Sequence, residues 1–179
     1  YGNYLAVGAR GSKKAYVYER KNDGVWTVSG SFSEGSVNEY GFKVSLYGNY
    51  VAVGSNGEKA FLYRRNRDGN WQEVFSKDEG SEYGRDVSVY GNYLAVCGQG
   101  KVYFYESNRQ GGWSEKQIIQ GDSNDFGRSV SIYENYMMVG ENKNNNEKVH
   151  FYERRNNGGW EKVQTISNSS TNFGWDISI

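Results

Sequence analysis

Three markers recur in step along the chain and predict an all-β protein of the propeller class, built from four four-stranded blades. Tyr-Gly-Asn-Tyr stands at Tyr1, Tyr47 and Tyr90, and Tyr-Glu-Asn-Tyr at Tyr133, with spacings of 46, 43 and 43 residues. An aromatic followed by glycine stands at Tyr40-Gly41, Tyr83-Gly84, Phe126-Gly127 and Phe173-Gly174, with spacings of 43, 43 and 47. One tryptophan falls in each period, at Trp26, Trp71, Trp113 and Trp160.

Each period reads as four strands, and the unit beginning at Glu82 shows why. Residues 87–90 alternate valine with polar side chains and form a short first strand; Gly91-Asn92 then supplies a tight turn, because both residues tolerate positive φ. Residues 93–97 make a second strand, followed by a glycine-bearing loop. Residues 102–106 make a third, rich in rings and β-branched side chains. A Gly-rich loop precedes the fourth, residues 113–119. Early strands carry Ser, Ala and Gly, and late strands carry rings. That gradient suits a wedge-shaped blade, which crowds its neighbours at the axis and splays at the rim.

The 179 residues are read as one domain with repeats 39–81, 82–124 and 125–171, and a fourth made of 172–179 joined with 1–38. Head-to-tail joining predicts that 175–179 pairs with 4–7, within one chain or between neighbouring chains. The result is a closed four-bladed ring, or a four-blade segment of a larger propeller or array. The chain does not open with Met, and it reads as a mature product or a piece of a longer protein.

Composition removes several function classes. The 21 basic and 21 acidic residues cancel, so neither a nucleic-acid footprint nor a polybasic membrane patch is expected. Apolar runs fall far short of the ~20 residues that span a bilayer, so no membrane insertion by this segment is expected. One cysteine excludes an internal disulfide.

These markers resemble the FG-GAP repeat family, the blade type of integrin α-subunit heads, in its subgroup with a Trp-containing strand. The aromatic-glycine pairs match the FG element. Gly8-Ala9-Arg10, Gly54-Ser55-Asn56, Cys97-Gly98-Gln99 and Gly140-Glu141-Asn142 match the GAP element. The third strand matches at Tyr16-Val17-Tyr18, Phe61-Leu62-Tyr63, Tyr103-Phe104-Tyr105 and His150-Phe151-Tyr152. The family proline and its Asp-rich calcium loop are absent, so its calcium sites are not carried over. The resemblance implies a non-enzymatic, extracellular or cell-surface repeat module that acts by protein contact or self-association.

No catalytic, cofactor or metal residue is expected. His150, the single histidine, takes the slot of Tyr16, Phe61 and Tyr103 and reads as a packing residue. Cys97 takes the slot of Gly8, Gly54 and Gly140 and reads as a small, half-buried side chain. Glu39, Glu82, Asp125 and Asn172 precede the aromatic-glycine pairs and are expected to accept hydrogen bonds from turn amides. Asp122, Asn124 and Asp125 are closely spaced but lack the ordered ladder of a calcium loop, and residues 142–146 read as a polar insertion. Asn168-Ser169-Ser170 is an N-glycosylation sequon, usable on a secreted chain. The four tryptophans are expected to pack against third-strand residues of their own or the adjacent blade, with Tyr18, Tyr63, Tyr105 and Tyr152 as natural partners. In the alternative, a carbohydrate-binding propeller, Trp26, Trp71, Trp113 and Trp160 stack on sugar rings.

Overall fold

The structure, a computed structural model, describes residues 1–142, 146–169 and 172–179. It is all-β, with one turn of 3-10 helix at Arg10–Ser12. Among the described residues no helix is long and apolar enough to cross a membrane.

The first blade holds β1 (Tyr4–Ala9), β2 (Lys14–Arg20) and β3 (Trp26–Ser33). The second holds β4 (Tyr40–Tyr47), β5 (Tyr50–Ser55), β6 (Lys59–Arg65) and β7 (Trp71–Asp78). The third holds β8 (Val87–Tyr90), β9 (Tyr93–Gly98), β10 (Lys101–Ser107) and β11 (Trp113–Gln120). The fourth holds β12 (Phe126–Tyr133), β13 (Tyr136–Glu141), β14 (Glu147–Arg154) and β15 (Trp160–Asn168). Every sheet is an antiparallel meander in sequence order. The last hairpin of each blade carries a bulge at one position, after Val17, Leu62, Phe104 and Phe151. A bulge sharpens twist and re-aims the side chains beyond it, here the tyrosines Tyr18, Tyr63, Tyr105 and Tyr152.

The first blade has three strands, which corrects the expectation of four. The expected pairing of 175–179 with 4–7 does not form within the chain: among the described residues β1 pairs with β2 alone. Segment 172–179 instead continues the arc beyond the fourth blade. Val89 N–H donates to Ser45 Oγ (3.0 Å), Ile132 N–H to Ser88 Oγ (3.0 Å) and Ile179 N–H to Ser131 Oγ (3.1 Å). The serine of each inner strand thus receives the next repeat's inner strand, and 175–179 takes the place of the inner strand of a fifth blade. The repeat 172–179 with 1–38 is therefore not a unit of this structure, and the four blades form an open arc.

Buried apolar side chains lie between sheets. Ala15, Val17 and Phe32 of the first blade pack with Tyr40, Val53 and Phe61 of the second. Ala52 and Leu62 of the second meet Val87, Leu94 and Tyr105 of the third. Val102 and Phe104 of the third meet Val130, Met137 and Trp160 of the fourth. Central strands are buried nearly throughout, whereas β1 alternates and β15 is exposed beyond Trp160.

The markers have mechanical causes. The turn tyrosines form a ladder across the blades, with ring centroids 4.5 Å apart for Tyr1–Tyr47, 4.3 Å for Tyr47–Tyr90 and 5.1 Å for Tyr90–Tyr133. The two glycine markers touch each other across blades: a Cβ on Gly54 would stand 2.2 Å from the Gly84 carbonyl oxygen. Gly84 itself has φ +82°, and a Cβ there would stand 2.2 Å from the Lys59 carbonyl oxygen. Glu39, Glu82 and Asn172 adopt left-handed φ of 52°, 59° and 68°. They accept the turn N–H of Phe42, Arg85 and Trp175 as expected, through their backbone carbonyls. The Glu39 carboxylate instead accepts from Asn56, and that of Glu82 pairs with Arg85.

Gly84→Ala is expected to destabilise the fold by roughly 2–5 kcal/mol, from left-handed strain together with the overpacked contact. Gly91→Ala, at φ +57° with nothing within 4 Å of the new methyl, carries the strain alone and should cost about 1–2 kcal/mol. Urea denaturation of the two variants measures the difference, and equal costs would disprove the close-approach explanation.

Candidate functional site

The inner strands converge on an axial cleft of about 230 Å³, walled by Phe42, Lys43, Arg85, Arg128 and Trp175 from four successive repeats. Its cations are partnered. Lys43 Nζ lies 2.9 Å from Asp176 Oδ1, Arg85 pairs with Glu82, and the Arg128 guanidinium sits 3.9 Å from the centre of the Trp175 ring. Burial works against the Lys43 ammonium, but the carboxylates of Asp86 and Asp176 outweigh it and hold the amine above the usual lysine range. Asp86, in the slot of Lys43 one repeat later, is buried. Its Oδ1 accepts from Val87 N–H (2.9 Å), and its Oδ2 accepts from Val130 N–H of the next blade (2.8 Å). Burial raises its carboxyl to about 6, although Lys43 and the two amides pull the other way. Lys43 and Arg85 are thus matched by carboxylates, and an anionic ligand would have to displace Asp176 or Glu82 to reach them, whereas Arg128 is held by a ring alone.

A second polar cluster surrounds His150, which is more than a packing residue. Its Nε2 lies 2.8 Å from Glu141 Oε2 and its Nδ1 lies 3.0 Å from Thr165 Oγ1, while Ser123 Oγ donates to Glu141 Oε1 at 2.7 Å. A hydroxyl, imidazole and carboxylate in series is the layout of an activated nucleophile. Here Glu141 is 2% exposed and His150 5%, so the chain satisfies a buried carboxylate and presents no base to solvent. Burial pushes the Glu141 carboxyl up, but the bonds from Ser123 and His150 and the nearby Lys148 charge outweigh it and hold it below the usual range. Sequence reasoning missed this network, because Glu141 stands where two other repeats carry Ser55 and Ala9.

Cys97 is fully buried, not half-buried, and burial pushes its thiol well up, which keeps it protonated and unreactive. Among the described residues no three His, Cys, Asp or Glu side chains converge as a metal site, Asp122 and Asp125 included. Asn168 ends β15 opposite Glu147. Ser170 of its sequon, and residues 143–145 of the polar insertion, lie outside the described residues.

Three of the four recurrent tryptophans pack across blades, each on the preceding sheet. Trp71 lies 6.5 Å from Tyr4 and 6.0 Å from Phe32, Trp113 lies 5.6 Å from Tyr50, and Trp160 lies 5.4 Å from Phe104. All four contacts are edge-to-face. Trp160 meets a third-strand residue of the adjacent blade as expected, but Tyr63 and Tyr105 turn elsewhere: the Tyr63 hydroxyl pairs with that of Tyr40 and the Tyr105 hydroxyl accepts from that of Tyr83 (2.9 Å each), the aromatics of the aromatic-glycine pairs. Trp71, Trp113 and Trp160 thus have their rings engaged by protein, not offered to sugars. Trp26, with no preceding blade, is 44% exposed.

No protein-family model matches the chain, and no curated protein is similar to it. Solved structures are. A protein from Lactobacillus plantarum superposes with a TM-score of 0.65 at 16% identity, over 92% of this chain and 54% of that one. A periplasmic gluconolactonase from Pseudomonas aeruginosa gives 0.64 at 11%, over 95% and 53%. A functionally unknown protein from Desulfotomaculum acetoxidans gives 0.57 at 8%, over 96% and 69%. The fold is that of a β-propeller. The arc spans about half the length of the first two structures, and at these identities the likeness extends to the fold alone.

Two measurements test the roles assigned within the propeller. Trp160→Ala should cost about 3–5 kcal/mol of stability, and Trp26→Ala, measured at low protein concentration, about 0.5 kcal/mol or less. Equal losses would remove the distinction between packed and open tryptophans. Asp86 holds its proton more tightly folded than unfolded, so the stability linked to it is complete below about pH 4 and is lost as pH rises through about 6. The stability of wild type relative to Asp86→Asn should therefore fall by about 2–3 kcal/mol between pH 4 and 7. A flat difference would show that the carboxyl is not raised.

Proposed function

We propose that this propeller arc is a non-enzymatic module of an extracellular or cell-surface protein, acting through protein contact or self-assembly. The observation that carries the reading is where its exposed large apolar side chains lie. Leu5, Val7, Val25, Trp26 and Val28 lie on the first blade, with Tyr1 just before it; Tyr133, Tyr136, Val163, Ile166, Trp175 and Ile179 belong to the fourth blade and the segment after it. Between them the second and third blades add only Ile118. Apolar surface gathered at both ends of the arc marks contact faces more than random exposure does.

The resemblance to FG-GAP blades supports the same reading, as does the neutral charge balance, which favours no polyanionic partner. The likeness to a gluconolactonase is one of fold, and function resides in sites grafted onto folds.

A glycan array and a sedimentation series on the same sample test the proposal. Concentration-dependent association, or a stable protein partner, without glycan retention is the expected outcome. Glycan retention that disappears in Trp26→Ala would instead make the module a lectin.

A further inference from the structure

The internal blade contacts use a recurring set of side chains, and both halves of one further set stand open at the two ends of the arc. In the contact of the second blade with the first, Trp71 sits on Tyr4 and Phe32. The Arg65 guanidinium lies 5.1 Å from the centre of the Tyr4 ring and 3.9 Å from Glu19 Oε1. In the contact of the fourth with the third, Trp160 sits on Phe104. Arg154 there lies over Tyr93 at 4.4 Å, donating to Tyr93 OH (2.7 Å) and Glu106 Oε2 (3.0 Å). Gln117 adds a clamp: its Nε2 donates to Trp160 O (3.1 Å) and its Oε1 accepts from Trp160 N–H (2.7 Å).

The middle contact shows that the charged pair goes together. There the arginine slot holds Ser107 and the glutamate slot holds Arg64, while Trp113 still meets Tyr50. At the open ends both partners are present. The first blade carries Arg20 and Trp26 in the slots of Arg154 and Trp160. The fourth carries Tyr136, Phe151, Glu153 and Gln164 in the slots of Tyr93, Phe104, Glu106 and Gln117. Those four residues, with Ile179, line a groove of about 370 Å³ on the outer side of the fourth sheet. The segment ending in Ile179 also holds the place of an inner strand, the one strand that the first blade lacks.

We infer that a second copy of this chain docks head to tail, Trp26 of one copy entering the Tyr136–Phe151–Gln164 groove of the other. Arg20 then reaches Tyr136 and Glu153, Gln164 clamps the backbone of Trp26, and residues 175–179 lie beside β1 as its missing inner strand. The inference rests on the self-assembly reading above and names its contact. Two arcs, each about half the length of the first two matching propellers, close a ring if both contacts form at once; a contact that does not close propagates as a series.

Sedimentation equilibrium of the 179-residue chain tests this. Wild type should reach at least twice the 20.3 kDa of one chain. Trp26→Asp and Tyr136→Lys change exposed residues, and circular dichroism checks that each variant stays folded. Each should weaken association more than about 30-fold, the effect of losing a hot-spot residue. Mixing the two should restore a one-to-one dimer, because each variant keeps the half that the other has lost. An interface built from the same patch on both copies could not be rescued this way. If wild type and both variants associate alike, this contact is overturned and self-assembly stands. If wild type stays monomeric at every concentration, the second copy is overturned and the open faces belong to a different protein.

Discussion

A small antiparallel sheet with apolar residues on both faces needs a neighbour on each side, and in this chain the neighbour is always another copy of the same repeat. No blade has a core of its own; each cluster of buried side chains is shared between two sheets. The sheets can share it because glycine faces glycine at the inner end, where Gly54 and Gly84 bring backbones closer than any Cβ permits. At the outer end tryptophan fills the widening gap. Small inside and large outside is the condition that turns a stack of sheets into an arc.

Polar groups follow from that arrangement. Inner strands of successive blades lie too far apart to form a common ladder, so single side chains bridge them: Ser45, Ser88 and Ser131 accept one backbone N–H each, and Asp86 accepts one from Val130. The rise of the Asp86 carboxyl is the cost of placing that bridge in the interior. Rim arginines such as Arg154 combine a charge pair with a ring contact at a half-buried edge. There a guanidinium keeps its aromatic and carboxylate partners without full desolvation.

The ends of the arc differ from its middle for the same reason. A slot that is covered where a neighbouring blade is present lies open where that blade is missing, although the local sequence is the same. Trp26 and Trp160 occupy equivalent positions, at 44% and 5% exposure. What separates them is only whether a preceding blade is present.

Strands, turns and period were legible in the sequence because they are local. Alternation, Gly-Asn turns and ring-rich strands each act within about ten residues, and the repeat lets each blade check the others. The polar network around His150 and Glu141 was not legible: its members lie on three strands and a loop, and no other repeat carries them. Nor were the partners of the tryptophans, which lie on the sheet of the preceding repeat while Tyr63 and Tyr105 turn to Tyr40 and Tyr83. The sequence alone determined that there are four units of one kind, and which residues stand in the same slot of each. Only the tertiary structure decided that the arc stays open, that residues 175–179 follow the fourth blade and do not return to the first, and that Cys97 is sealed. These depend on the angle between neighbouring blades, which is set by contacts between side chains more than forty residues apart.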